Sequence, residues 1–155
     1  MSSYYRDPAA PTPNRPRKIG VTALIERRQV ILVERRVDDP DRWAFIGGTL
    51  EEDEEILDAL YREVREETGF EIERAELLGV FSDPTRIVAY PDGSVCRVVS
   101  IAFRVTPDRG ESVPSDESAG MRFVTRDELV DLAFWPAHQP IRDALLRQPD
   151  APVVE

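Results

Sequence analysis

Apolar and polar residues alternate at the start of the folded region, and this alternation predicts two paired strands. Every second residue from Ile19 to Ile25 is apolar, which is the period of a half-buried strand. The polar run 26–29 turns the chain, and the apolar run 30–33 is predicted to return as an antiparallel partner. A turn-rich loop at 38–41 and a short strand at 43–46 follow.

The period then lengthens to that of a helix, which begins near 53–55, where acidic residues suit the positive end of the helix dipole. Gly69 is suited to end this helix in a left-handed conformation, with Phe70 folding back toward Val64. The apolar residues recur at helical spacing, so they are predicted to form one stripe facing the core: Ile56, Leu57, Leu60, Tyr61 and Val64.

Alternating and apolar runs return after the helix and predict strands at 75–81, 86–90, 95–105 and 121–124. Asp92-Gly93 between two of them is a strong hairpin signal. Thr125 and Glu128 have the spacing of a capping box that opens a short helix, and Pro140 begins another. This order of elements predicts an α+β fold, an α/β/α sandwich around a mixed β-sheet.

The chain has 155 residues, enough for one domain with a proper core. Residues 1–17 are rich in proline and are predicted to be a flexible arm, whose arginines could contact a phosphate or a partner subunit of a homodimer. The folded domain is predicted to span 18–148, with a C-terminal tail at 149–155.

The charge of the chain argues against a nucleic-acid partner. The net charge is −10, and residues 1–18 carry four basic side chains against one acidic one, so the rest of the chain has a formal charge of −13. Such a body repels a polyphosphate backbone, whereas a phosphate-rich small molecule brought in with a metal ion fits it better. No apolar run has membrane-spanning length, and the single cysteine, Cys96, favours a packing role in a reducing cytoplasm.

Three glutamates of the predicted helix fall on one flank. Glu63 and Glu67 lie one turn apart beside the apolar stripe, and Glu66 falls on the same flank. Three carboxylates there repel one another unless a cation holds them. Hard oxygen ligands on a rigid helix suit Mg²⁺ or Mn²⁺, which keep coordination positions open for substrate phosphates.

Glycines and charges recur here with a fixed spacing: Gly48-x5-Glu54-x7-Arg62-Glu63-Val64-x-Glu66-Glu67-x-Gly69-Phe70. This segment resembles the Nudix box of the Nudix hydrolase (MutT-like) superfamily, with every specified position filled. An ordinary solvated helix with charge pairs would explain the charges but not the glycines or the spacing. The resemblance implies the same sandwich fold and a hydrolase that attacks phosphoanhydride bonds with water.

Roles for individual residues follow from the resemblance. It implies that Glu63, Glu66 and Glu67 bind the metal with the Gly47 carbonyl, and that Glu63 or Glu66 orients or deprotonates the attacking water. Glu54 and Arg62 would pin the loop to the helix, and Gly48 would let the backbone approach a phosphate closely.

Further candidate residues lie outside the motif. Many Nudix enzymes take an extra carboxylate from a later loop, and Glu117 fits that place, with Asp116 second, although a solvated loop acid is an equal alternative. Arg35 ends the second strand where a phosphate could be met, although an exposed edge charge is an equal alternative.

The substrate implied is a nucleoside diphosphate linked to another group. The segment 79–84 with Arg86 is similar to segments of ADP-ribose pyrophosphatase-like members, in which a proline lies about fifteen residues beyond the box, as Pro84 does here. Nucleoside triphosphates are the next candidates. A nucleotide-binding regulator without turnover and an RNA 5′-pyrophosphohydrolase stay open as alternatives.

Overall fold

The structure is a computed structural model that describes residues 1–155. Its three α-helices are α1 (Ile56–Thr68), α2 (Arg126–Asp131) and α3 (Gln139–Arg147), and a 3₁₀ helix covers Pro136–His138. The strands are β1 (Ser2–Tyr4), β2 (Lys18–Arg27), β3 (Val30–Arg36), β4 (Asp39–Ala44), β5 (Ile46–Thr49), β6 (Ile72–Phe81), β7 (Ile87–Ala89), β8 (Val95–Pro107), β9 (Ser118–Val124) and β10 (Val153–Val154). No helix combines the length and the apolar composition that crossing a membrane requires.

The sheet is mixed and is organised around β2. This strand pairs in parallel with β8 and antiparallel with β3 and β5. Strands β6 and β7 both pair antiparallel with β8. Strands β4 and β9 both pair antiparallel with β3. The Asp92-Gly93 hairpin joins β7 to β8 as predicted.

Helices cover both faces of the sheet, which confirms the predicted α+β sandwich. Side chains alternate along β2, so Val21 and Ala23 join one core cluster and Leu24 the other. The first cluster includes Leu60 and Val64 of α1, with Phe70. Helices α2 and α3 contribute to the second cluster with Leu129, Ile141, Ala144 and Leu145.

Helix α1 ends as predicted, because Gly69 adopts a φ of +72° and its N–H donates to the Arg65 carbonyl. Its apolar stripe is narrower than predicted. Ile56, Leu57 and Tyr61 are 38%, 50% and 40% exposed. The buried face continues from Leu60 and Val64 into Glu67 and Thr68, so the helix directs a carboxylate, not only apolar groups, into the interior.

Three segments differ from the sequence expectation. Strand β4 occupies most of the predicted loop at 38–41, and the turn is shifted to 37–38. Residues 2–4 of the predicted flexible arm form β1, antiparallel to β7. In the predicted tail, β10 pairs in parallel with β6. Both terminal segments cover sheet edges, whose free N–H and C=O groups favour an added strand.

Candidate active site

Two glycines on β5 let its backbone approach the glutamates of α1. The Gly47 N–H donates to Glu67 Oε2 at 3.1 Å, so this amide points away from β2 and toward α1. Gly47 has a φ of +153°, and a Cβ there would lie 2.2 Å from the Val21 carbonyl oxygen. A Cβ on Gly48 would lie 2.2 Å from Glu63 Oε1. Any larger residue at either position would displace the strand or a glutamate.

Arg62 ties the loop before α1 to the helix. Its Nε and Nη2 donate to the two oxygens of Glu54 at 2.7 and 2.9 Å, and Nη2 also reaches the Thr49 carbonyl at 3.3 Å. These hydrogen bonds lower the pKa of Glu54. The contact has the bidentate geometry that fixes a guanidinium against a carboxylate, as the predicted supporting pair requires.

The same guanidinium reaches two predicted metal ligands. Arg62 Nη1 donates to Glu63 Oε1 at 2.7 Å and to Glu66 Oε2 at 3.4 Å. The Glu63 side chain is largely buried and the Glu66 side chain is mostly exposed. Burial raises the pKa of Glu63, and the hydrogen bond and charge of Arg62 oppose that rise.

Arg36 forms the other cationic part of the site. Its Nη1 lies 3.5 Å from Glu67 Oε1 and 3.9 Å from Glu34 Oε1, and its Nη2 donates to Glu117 Oε2 at 2.8 Å. Glu117 is therefore brought to the site, on the terminal nitrogen of Arg36 that does not face Glu67. Asp116 makes no ion pair in the structure.

Glu34 is a site residue that sequence reasoning missed. It is 3% exposed on β3, and burial raises its pKa to about 7. Burial also raises the pKa of Glu67, to about 8, and the negative charge of Glu34 adds to this rise. The signal was an acid inside a strand, on the same strand face as the core residue Leu32 and as Arg36.

Arg35, the predicted phosphate contact, lies against Trp43, whereas its neighbour Arg36 lines the cavity. The Arg35 guanidinium lies 4.8 Å from the centre of the Trp43 ring, where Arg122 also stacks at 4.8 Å. Successive side chains of a strand point to opposite faces, and β3 has a register shift between Arg35 and Arg36. Of these two arginines, only Arg36 lines the cavity beside the glycines.

The donor set fits a hard divalent cation in its chemistry, although the side chains do not converge on one point. No group of three or more acidic, histidine or cysteine side chains is arranged to hold a metal ion. The reason is that Arg62 draws Glu63 and Glu66 to one side, while Arg36 draws Glu67 to the other. Burial is the main cause of the raised pKa values of Glu63 and Glu67, and the neighbouring arginines oppose it. Small side-chain rotations toward the Gly47 backbone would supply oxygen ligands for Mg²⁺ or Mn²⁺.

A cavity of about 210 Å³ opens beside this cluster, and Gly47 and Gly48 form part of its wall. Its charged lining residues are all cationic, namely Lys18, Arg36 and Arg86. This volume is below the roughly 300–1,000 Å³ of a drug-sized ligand site, so it suits a small group or one part of a larger molecule. The lining charges favour a part rich in hydrogen-bond acceptors or negative charge.

Two polar groups of the cavity wall have unusual settings. Arg86 is fully buried without a carboxylate partner and donates to the Ala137 carbonyl at 2.9 Å and to Ser100 Oγ at 2.8 Å. Burial lowers its pKa to about 10. Burial also lowers the pKa of His138 to about 3. Because His138 Nδ1 accepts from the Phe45 N–H, this neutral ring carries its proton on Nε2. His138 therefore offers a fixed donor rather than a proton shuttle.

Comparison with known proteins adds an independent line of information. Residues 15–145 match the family model described as the NUDIX domain. The chain is 32% identical over 129 residues to a MutT-like protein of Streptomyces ambofaciens, covering 83% of this chain and 77% of that one. It is 34% identical over 118 residues to an ADP-ribose pyrophosphatase of Methanocaldococcus jannaschii, covering 75% and 66%. The crystal structure of a MutT mutator protein from Bacillus halodurans superposes with a TM-score of 0.72 over 88% of this chain and 86% of that one, at 24% identity.

Proposed function

Because this chain belongs to the Nudix hydrolase family, we propose that it is a metal-dependent pyrophosphohydrolase acting on a nucleoside diphosphate linked to another group. One observation carries the proposal: the glycines that contact Glu63 and Glu67 also form the wall of a cationic cavity. A molecule seated in that cavity would extend its phosphates directly over the carboxylate cluster.

Phosphoanhydrides resist water because their negative oxygens repel a nucleophile. A divalent cation held by Glu63, Glu66, Glu67 and the Gly47 carbonyl would neutralise those oxygens and lower the pKa of the attacking water. Nudix hydrolases generally use divalent metals, and Mg²⁺ or Mn²⁺ suits these oxygen donors.

The protein supplies the remaining functions. Glu63 or Glu66 orients the attacking water or accepts its proton, since both lie on the flank of α1 that faces the loop. Arg36 lines the cavity and lies 3.5 Å from Glu67, so its guanidinium can turn from the carboxylate to a phosphate oxygen. Arg62 and Glu54 keep the loop in register with the helix, which keeps the reacting groups positioned.

ADP-ribose is the favoured substrate. The proline fifteen residues beyond the motif, Pro84, and the similarity to an archaeal ADP-ribose pyrophosphatase both support it. The cavity would admit a base or a sugar, and the diphosphate would then lie at the glycines of its wall, beside the carboxylates. Nucleoside triphosphates present the same phosphates to the cluster and are the next candidates.

The test is a substrate panel measured with Mg²⁺, with Mn²⁺ and with a chelator. It compares ADP-ribose, NADH, nucleoside and deoxynucleoside triphosphates, diadenosine polyphosphates and 5′-triphosphate RNA. We expect metal-dependent hydrolysis of ADP-ribose that Glu63→Gln and Glu67→Gln each reduce at least about a hundredfold. Glu73→Gln removes the same charge from an exposed position of β6 and serves as the control. If the wild type binds a nucleotide tightly but hydrolyses nothing, the protein is a regulator and the proposal fails.

A further inference from the structure

Met1 lines the cavity, and strand β1 directly follows it. Strand β1 lies antiparallel to β7, with Ser3 opposite Val88. Met1 and Val88 both line the cavity. Since side chains alternate along a strand, Met1 and Ser3 share the face that is turned inward, whereas Ser2 points away. The exposure agrees, because Ser3 is buried and Ser2 is exposed.

This short strand bridges two other parts of the wall. On one side, Ser3 Oγ accepts a hydrogen bond from the Ala137 N–H at 3.3 Å, next to His138 in the 3₁₀ helix. On the other side, Met1 lies against the β3–β4 turn, with its nitrogen 3.7 Å from Asp38. Asp38 in turn lies 3.4 Å from Arg36. The strand thus spans from the 3₁₀ helix toward the arginine that contacts the carboxylate cluster.

Anchors outside the cavity hold the arm in this position. The Arg6 N–H donates to Thr85 Oγ1 at 3.3 Å, and the Arg6 guanidinium lies 3.6 Å from Asp83. Asn14 donates to the Gly93 carbonyl at 3.1 Å and accepts from the Val95 N–H at 2.9 Å. The arm therefore follows the β7–β8 hairpin and brings Met1 to the cavity.

We propose that the N-terminal strand determines affinity for the part of the substrate that lies in the cavity. Met1 offers a thioether surface on which a base or sugar packs, among lining charges that are all positive. Ser3 is a positioning residue, since it holds the strand to Ala137 without itself being needed for contact. The inference rests on the proposed function only in taking a nucleotide as the ligand of the cavity.

The test compares nucleotide binding by Ser3→Arg, Ser2→Arg and a chain lacking residues 2–4. Binding of ADP, GDP, CDP and UDP is followed by tryptophan fluorescence, because Trp135 lines the cavity. Inorganic pyrophosphate, followed by calorimetry, is the matched ligand without a nucleoside. We expect Ser3→Arg and the deletion to weaken the tightest nucleotide at least about fivefold, while Ser2→Arg and all pyrophosphate affinities stay within about twofold of the wild type.

A melting curve of each variant shows whether weaker binding comes from the changed cavity wall or from an unfolded protein. If Ser3→Arg does not fold, the binding result of the chain lacking residues 2–4 tests the inference. Unchanged nucleotide affinity in the deletion would overturn the inference. Equal weakening of pyrophosphate would also overturn it, because the strand would then act on the whole site. If the wild type binds none of the four nucleotides, the inference fails, whereas the proposed function is decided separately by metal-dependent turnover.

Discussion

Replacing Glu67 with glutamine should stabilise the metal-free protein at alkaline pH and remove its activity at the same time. Glu67 is 8% exposed, and burial raises the pKa of its carboxyl group to about 8 from an ordinary value of 4.5. Glutamine keeps an oxygen that can accept the Gly47 N–H but carries no charge into the interior. Stability and function therefore oppose each other at this position.

The sign of the effect follows from proton linkage. A carboxyl group whose pKa is raised on folding binds its proton more tightly in the folded state. Its favourable contribution is complete below the unfolded value of 4.5 and is lost as the pH rises through about 8. One pKa unit corresponds to about 1.4 kcal/mol, so the full rise sets a ceiling of roughly 5 kcal/mol. Because the wild-type ion pair with Arg36 is lost in the variant, we expect a gain of about 2 kcal/mol at pH 9, or roughly 4–8 °C in Tm.

The assay is urea or thermal unfolding of chelator-treated protein at pH 5 and pH 9. At pH 5 the protonated acid resembles glutamine, so wild type and Glu67→Gln should differ little. At pH 9 the variant should be the more stable, and Mg²⁺ should restore the wild type but not the variant. Glu73→Gln, on the surface of β6, should follow the wild type throughout. A variant that is less stable than the wild type at pH 9 would refute the reasoning.

Three further outcomes are expected. Gly48→Ala places a Cβ 2.2 Å from Glu63 Oε1, so kcat/KM should fall at least about tenfold, and unchanged kinetics would contradict the contact. His138, whose pKa burial lowers to about 3, should stay neutral in an NMR titration, and a midpoint above pH 5 would contradict this. Leu60→Ala should lower the free energy of unfolding in urea by about 2–5 kcal/mol. The matched Leu57→Ala, at a half-exposed position of the same helix, should lower it by about 1 kcal/mol or less. Similar losses in the two variants would contradict the assigned core face.

Helix α1 with its carboxylates could be predicted from the sequence because the pattern that defines it lies within one short segment of the chain. Helical periodicity sets which residues share a face, and Gly69 ends the helix as a left-handed residue. The glycines and glutamates that the sequence singles out lie together, since the Gly47 N–H donates to Glu67 and Gly48 lies against Glu63. The two-sided sandwich followed from the order of elements.

What the sequence did not provide depends on contacts between distant segments. Glu34 lies at the site because Arg36 of the same strand is within 4 Å of both Glu34 and Glu67 of α1, and the sequence of β3 alone does not show which helix residue its charges meet. The choice between Arg35 and Arg36 depends on a register shift in β3. The arm joins the sheet because β7 offers a free edge, with Ser3 paired to Val88, and a proline-rich composition gives no sign of that.

Binding of Mn²⁺, followed by electron paramagnetic resonance alongside ADP-ribose turnover in the same samples, tests the central claim most directly. Wild type, Glu63→Gln, Glu67→Gln and the exposed control Glu73→Gln form the set. The carboxylates of α1 and the Gly47 loop are proposed to hold the cation, so Glu63→Gln and Glu67→Gln should lose affinity for the cation at least about tenfold together with turnover, while the control matches the wild type. Undiminished Mn²⁺ binding and turnover in Glu63→Gln and Glu67→Gln would show that these glutamates are not the metal site.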